Sequence, residues 1–285
     1  MHSSAKDLPE ESHYIQLESG YCHYRLDGPA DGKLLVLIHG ATVAGWIFEQ
    51  LRPYLIKAKY RLLSVDLLGH GYSERLNTEY NIELYRRQVL ELLTSIDEAD
   101  CSKSISLLGH SLGAAVAVSL ANENPQRFRR VVLTAPLINF VENMPIVKLF
   151  TIPVLGEIIN KLYVIPMLKR RRRKRYAAIA DGQFIERFMS QFLISGFEQT
   201  VLSLFRSDVL ADKTELYKAF SEKGVSSLVI YGEQDELVTP KQISHLKSIM
   251  PKSEFIGLAD AGHAFILSEP ERVATHIINF LKSKS

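Results

Sequence analysis

Ser104-Ile105-Ser106-Leu107-Leu108-Gly109-His110-Ser111-Leu112-Gly113-Ala114-Ala115 reads as a strand, a sharp turn and a helix. The turn is Gly109-x-Ser111-x-Gly113. A strand-to-helix elbow of this kind holds its central serine in strained backbone, with the hydroxyl standing above the sheet edge. The flanking glycines answer the close approach of strand and helix. The following run, Ala114-Ala115-Val116-Ala117-Val118, has the small apolar character of a helix packed flat on a sheet. The helix start also offers free N–H groups and positive dipole beside the serine oxygen. An ordinary glycine-flanked turn would need neither the apolar strand before it nor the small-residue helix after it, so Ser111 is the candidate nucleophile.

Outward from the elbow, strands and helices alternate. Leu34-Leu35-Val36-Leu37-Ile38 is an unbroken apolar run ended by His39-Gly40, as in a strand buried on both faces. A helix is expected over 45–57, a strand over 62–65 ended by Asp66, an amphipathic helix over 82–96 and a strand over 130–134. Before them, 13–18 and 21–26 read as a hairpin around Ser19-Gly20, and 1–13 as a loose leader. From 137 to 216 no strand pattern occurs, only short apolar helices broken by proline and glycine, then helices over 181–193 and 196–205. The rhythm resumes with a strand over 227–232, a helix after Pro240, a strand over 253–256 and a helix over 270–281. This predicts an α/β fold with a mostly parallel sheet, helices on both faces, and a helical cap inserted in it. The divisions are 1–136 for the first part of the core, 137–216 for the cap and 217–285 for the second part. In such sheets ligands bind beyond the strand C-termini, where His39, Asp66, Ser111 and Ala135 all fall.

The 285 residues allow one large core with an inserted subdomain, and 46% hydrophobic with 23% charged residues is a globular composition. The net charge of +2 comes from one place. Lys169, Arg170, Arg171, Arg172, Arg173, Lys174 and Arg175 are consecutive, and without them 27 basic residues face 32 acidic ones. No nucleic-acid partner is expected from so local a feature. Cys22 and Cys101 do not make a disulfide framework. The polar N-terminus has no apolar signal core and no segment is apolar enough to span a bilayer, so a cytoplasmic location is expected.

A serine hydroxyl needs a base with a pKa near neutrality, and the base needs a carboxylate to hold its tautomer. Asp235, a few residues past the 227–232 strand, is the candidate carboxylate; Glu233 and Glu236 stand at nearly the same place and Asp260 is a further rival. Among nine histidines, His39, His70 and His110 lie near the rim. His263, in Ala261-Gly262-His263-Ala264 after the last strand, has the free loop and completes the chain order Ser, Asp, His. The oxyanion would be met by the backbone N–H of Leu112 and by that of Ala41, chosen over Thr42. His39, His110 and Trp46 are candidate pocket residues. No metal and no cofactor is required.

His39-Gly40, Asp66 with Gly69, His70, Gly71 and Ser73, the Gly109–Gly113 elbow, Gly232-Glu233-Gln234-Asp235 and Gly262-His263 together resemble the α/β-hydrolase superfamily. The resemblance runs through the whole core and leaves the cap unmatched. It implies an eight-stranded sheet with a cap after the sixth strand, a Ser111–His263–Asp235 triad and a covalent acyl-enzyme. Serine at the elbow sets the chain apart from the haloalkane dehalogenase and epoxide hydrolase branches. The loop after His39-Gly40 lacks the extra glycines of HGGG-type lipases, and the apolar cap is more similar to those of small esterases and monoacylglycerol lipases. The expectation is a serine hydrolase of carboxylic esters with a medium acyl or monoacylglycerol-like group. The alternatives are C–C bond or amide hydrolysis on the same scaffold, for which Arg187, Arg206 and Glu198 are the cap's ionic groups, and a non-catalytic ligand-binding protein. The apolar stretch 144–168 either lines an acyl pocket or only docks the cap. The run from Lys169 to Arg175 either meets an anionic lipid surface or is a solvated face.

Overall fold

The computed structural model describes residues 12–96, 105–140, 147–150 and 152–283. Most of the expected leader, Cys101, Ser104, and residues 144–146 and 151 of the apolar cap stretch lie outside the described residues. Eight strands form one sheet: β1 (Ser12–Leu17), β2 (Gly20–Asp27), β3 (Lys33–Ile38), β4 (Tyr60–Val65), β5 (Ile105–His110), β6 (Phe128–Thr134), β7 (Ser226–Gly232) and β8 (Glu254–Leu258), in the order β1-β2-β4-β3-β5-β6-β7-β8. β1–β2 and β2–β4 are antiparallel; every other pair is parallel.

The central strands are apolar at consecutive positions because both faces are covered. Leu34, Val36 and Ile38 of β3 enter one core with Leu107 and Val131. Leu35 and Leu37 enter the other with Leu108, Val132 and Ile230. The first core is closed by α2 (Ile82–Ser95), α3 (Leu112–Glu123) and α10 (Pro240–Ile249). The second is closed by α1 (Arg52–Lys57), α11 (Phe265–Ser268) and α12 (Pro270–Lys282). Cys22 is buried and free, and burial pushes its thiol up to about 12, away from thiolate chemistry.

The helix expected over 45–57 is two pieces: a 3-10 turn at Gly45–Phe48, then α1. Pro53 at the start of α1 explains the break, since a residue without an N–H fits a first turn and not a helix interior.

Between β6 and β7 the described chain is helical: α4 (Val147–Phe150), α5 (Leu155–Ile159), a π-helical turn Asn160–Val164, α6 (Ile165–Ala177), α7 (Gly182–Ser190), α8 (Phe197–Arg206) and α9 (Thr214–Glu222). Phe150, Val164, Ile165, Phe197 and Val201 make a small core of their own. Tyr176, Phe184 and Phe188 are packed into the second main core around Trp46. Residue 216 falls inside α9, whose Tyr217 and Phe220 join the first core with α3, so α9 packs as part of the sheet layer. No described helix is long and apolar enough to cross a membrane.

Candidate active site

Ser111 follows β5 directly, with φ 54 and ψ −116. The elbow is fixed by its own backbone. The Ser111 N–H donates to Thr134 O, and the Ser111 carbonyl accepts from Ala114 and Leu137. A Cβ on Gly109 would lie 2.3 Å from Gly113 O, and one on Gly113 2.0 Å from Ile38 O. Only glycine lets β5, β3 and the start of α3 approach this closely, and that approach forces the serine into a conformation L-residues rarely adopt.

Asp235 lies in the loop after β7, and His263 in the loop after β8. His263 Nε2 is 3.1 Å from Ser111 Oγ, and its Nδ1 is 2.8 Å from Asp235 Oδ2. The other carboxylate oxygen accepts from the N–H groups of Leu237 and Val238, at 2.8 and 3.1 Å. Burial works to raise the Asp235 carboxyl, but the His263 charge and hydrogen bond and these two N–H groups outweigh it and hold it below its ordinary value. An ionised Asp235 only accepts, so Nδ1 carries the proton and Nε2 presents a lone pair to the serine hydroxyl. That arrangement is able to take a proton from Ser111 and return it to a leaving group. The rival carboxylates point elsewhere: Glu233 and Asp260 are exposed, and exposed Glu236 pairs with Arg175.

Leu112 is the first residue of α3, where a backbone N–H has no acceptor inside the helix. Ala41 follows Gly40 at the end of β3. Ala41, Ser111 and His263 open onto a cavity of about 130 Å³, roofed by Val164, Met167, Leu168 and Arg172 and walled by Val43, Ile47, Leu137 and Phe140. Ala41 and His110 line it, and so do Thr42, which has φ 63, and Tyr176. The helical segment between β6 and β7 is tied down beside it by buried Gln191, whose amide donates to Thr42 O at 3.3 Å.

Two of the expected pocket residues lie outside this lining. His39 is fully buried and acts as a strut: Nδ1 donates to Gly40 O at 2.8 Å and Nε2 accepts from Leu67 N at 2.9 Å. Trp46 turns away from the cavity and packs edge-on against Phe184 at 4.8 Å, because Gly45 is pinned to Asp66 at 2.7 Å. His110 does line it. Burial, then the neighbouring His263 and Arg172, hold its imidazole well below the usual range, so it is a neutral wall. Arg187 and Arg206 pair with Glu49 and Glu157, and neither they nor Glu198 line the cavity. The ionic group that does is Arg172. Its signal was in the spacing: Ile165, Leu168, Arg172 and Tyr176 recur at helical intervals, so one member of the basic run falls on the inward stripe of α6. Among the described residues no group of three or more His, Cys, Asp or Glu is placed to hold a metal.

Residues 35–276 match the Alpha/beta hydrolase family, and the chain belongs to it. It is 25% identical over 272 residues to the uncharacterized hydrolase YugF of Bacillus subtilis, covering 92% of this chain and 93% of that one. It is 23% identical over 248 residues to lipase 1 of Psychrobacter immobilis, covering 84% and 74%. Its fold is similar to that of the enol-lactonase from Burkholderia xenovorans LB400, with a TM-score of 0.77 at 20% identity over 95% of this chain and all of that one.

Proposed function

We propose that this member of the alpha/beta hydrolase family cleaves carboxylic esters carrying a medium-chain acyl or monoacylglycerol-like group. Ser111 Oγ attacks the ester carbonyl while His263 Nε2 takes its proton, and Asp235 stabilises the imidazolium. The N–H groups of Leu112 and Ala41 receive the oxyanion. His263 then protonates the departing alkoxide, leaving an acyl group on Ser111. A water attacks that acyl-enzyme, gives its proton to His263, and releases the acid and free serine. The observation that carries this reading is the hydrogen-bonded Ser111–His263–Asp235 chain at the floor of a largely apolar cavity. The lipase and enol-lactonase names among the similar proteins support an ester bond.

The test is labelling by a fluorophosphonate probe alongside hydrolysis of p-nitrophenyl esters from butyrate to laurate. Wild type should label and turn over, and Ser111→Ala should lose both, with kcat reduced by roughly 10⁶-fold. Folded wild type that neither labels nor hydrolyses any ester would overturn the proposal. The chain length that turns over fastest reports how much of the acyl group the apolar cavity accepts.

A second reading is favoured by Arg172. A cation lining an otherwise apolar cavity suits a substrate with its own carboxylate, as a C–C bond hydrolase would need.

A further inference from the structure

Among the described residues, the large apolar side chains that stand most exposed are concentrated in the cap. Leu149, Ile152, Val154, Leu155, Ile158, Leu162, Tyr163 and Leu193 belong to it, and Tyr14 alone does not. Val154 is 69%, Leu162 72% and Leu193 85% exposed, far beyond the scattered apolar contacts of an ordinary surface. They are also ordered along the chain. Residues 155–177 form one unbroken helical run through α5, the π-helical turn and α6. Its inward stripe, Asn160, Val164, Leu168, Arg172 and Tyr176, faces the core and the cavity. Its exposed positions include Leu155, Ile158, Leu162, Tyr163 and Pro166 with the charged residues Glu157 and Lys161, then Arg170, Arg171, Arg173 and Lys174, so the first half is mainly apolar and the second half cationic.

The charge on these exposed positions is one-sided. Glu157 is the acidic residue of the run, and Arg206 neutralises it. Arg170, Arg171, Arg173 and Lys174 are exposed and have no acidic partner among the described residues, while Arg175 is paired with Glu236. A second copy of this chain would bring a matching cationic cluster to the contact. An anionic bilayer answers both halves at once: the apolar half enters the headgroup–acyl boundary, and the cations stay with the phosphates.

We propose that the outer face of the cap is a docking surface for an anionic lipid bilayer, with Ile158 and Leu162 entering the interface and Arg170, Arg171, Arg173 and Lys174 held by lipid phosphates. The same helical run roofs the cavity, so docking brings the roof of Ser111's cavity against the membrane. Delivery of a membrane-dissolved ester rests on the ester-hydrolase reading; the docking itself does not.

The experiment is co-flotation of the full chain with vesicles of phosphatidylcholine alone and of phosphatidylcholine mixed with phosphatidylglycerol. Wild type should float with the mixed vesicles, less with the neutral ones, and progressively less as salt is raised. Each cation near such a surface strengthens binding by roughly fivefold, so Arg170→Gln/Arg171→Gln/Arg173→Gln/Lys174→Gln should weaken binding to mixed vesicles at least about a hundredfold. Ile158→Ser/Leu162→Ser should weaken it with every cation in place. Both variants spare the cavity and should keep the wild-type rate on soluble p-nitrophenyl butyrate and the wild-type circular dichroism, which separates lost docking from lost folding. Wild type that fails to float, or variants that float equally, would sink the docking surface. Concentration-dependent dimers abolished by Leu162→Ser would reassign the face to a second copy. Flotation as described without ester turnover in any protein leaves the docking standing and removes the ester reading.

Discussion

At the level of single residues, side chains that look equivalent in sequence divide by the direction their loops take. Asp66 and Asp235 both follow parallel strands at the same sheet edge. Asp235 turns toward His263. Asp66 turns back under the sheet, where Oδ1 accepts from Gly45 N and Oδ2 accepts from His23 Nδ1 and Tyr72 N. Strand-end position is legible in the sequence; loop direction is set by hydrogen bonds to residues far away in it. Burial works against the Asp66 carboxylate, but the charge and hydrogen bond of His23, then His39 and the Tyr72 N–H, hold it at about 2 against an ordinary 3.8. A depressed carboxylate pKa stabilises the fold above its ordinary value, and that stability is lost as pH falls through the folded value. A drop of this size is worth roughly 2 kcal/mol. Wild type should therefore lose about that much stability in urea unfolding between pH 5 and pH 2 from this residue. Asp66→Asn should be less stable at neutral pH and show a flatter acid limb. Parallel acid limbs in the two proteins would refute the assignment.

At the level of the elements, the elbow is where local sequence and tertiary packing agree most closely. The pattern Gly109-x-Ser111-x-Gly113 was readable because each glycine answers a backbone approach that no other residue permits. Gly113 is the more demanding position, since its added Cβ would meet Ile38 O and also His39 O at 2.6 Å, both backbone atoms that cannot swing aside. Gly113→Ala should destabilise the protein by about 3 kcal/mol and displace Ser111 from His263. The measurement is thermal unfolding together with fluorophosphonate labelling. A folded, normally labelling Gly113→Ala protein would mean that β3 and α3 separate more easily than their packing indicates. The split of the 45–57 segment was also written in the sequence, at Pro53. The π-helical turn at Asn160–Val164 was not, because nothing in that apolar stretch distinguishes a wider turn from an α-helical one.

At the level of the molecule, the sheet is legible in the sequence, whereas between β6 and β7 the helices are legible and the destinations of their side chains are not, for one physical reason. The central strands are buried on both faces, so their apolar runs are unambiguous. The helical segment between β6 and β7 divides its apolar residues among its own small core, contacts with both main cores, the cavity and the outer surface. One amphipathic pattern cannot say which of these a residue serves. Arg172 is the sharpest case: it is one of seven consecutive cations in the sequence, and only its helical spacing from Ile165, Leu168 and Tyr176 marks it as the one the fold aims inward. If the cavity takes uncharged esters, Arg172 only covers apolar surface with its methylene stem, and Arg172→Leu should leave p-nitrophenyl butyrate hydrolysis within about twofold. If the cavity takes a carboxylate, the guanidinium contributes a charge-assisted bond in a poorly solvated site. Arg172→Leu should then raise KM for the monoester of a dicarboxylic acid by about tenfold or more, while the neutral ester is unaffected. Comparing butyrate and succinate monoesters on wild type and Arg172→Leu separates the two. A selective loss on the succinate ester shifts the substrate class toward anionic esters or carboxylate-bearing C–C substrates. An equal response to both substrates confines recognition to the apolar walls, and with it the choice of substrate to the size and shape of the acyl group.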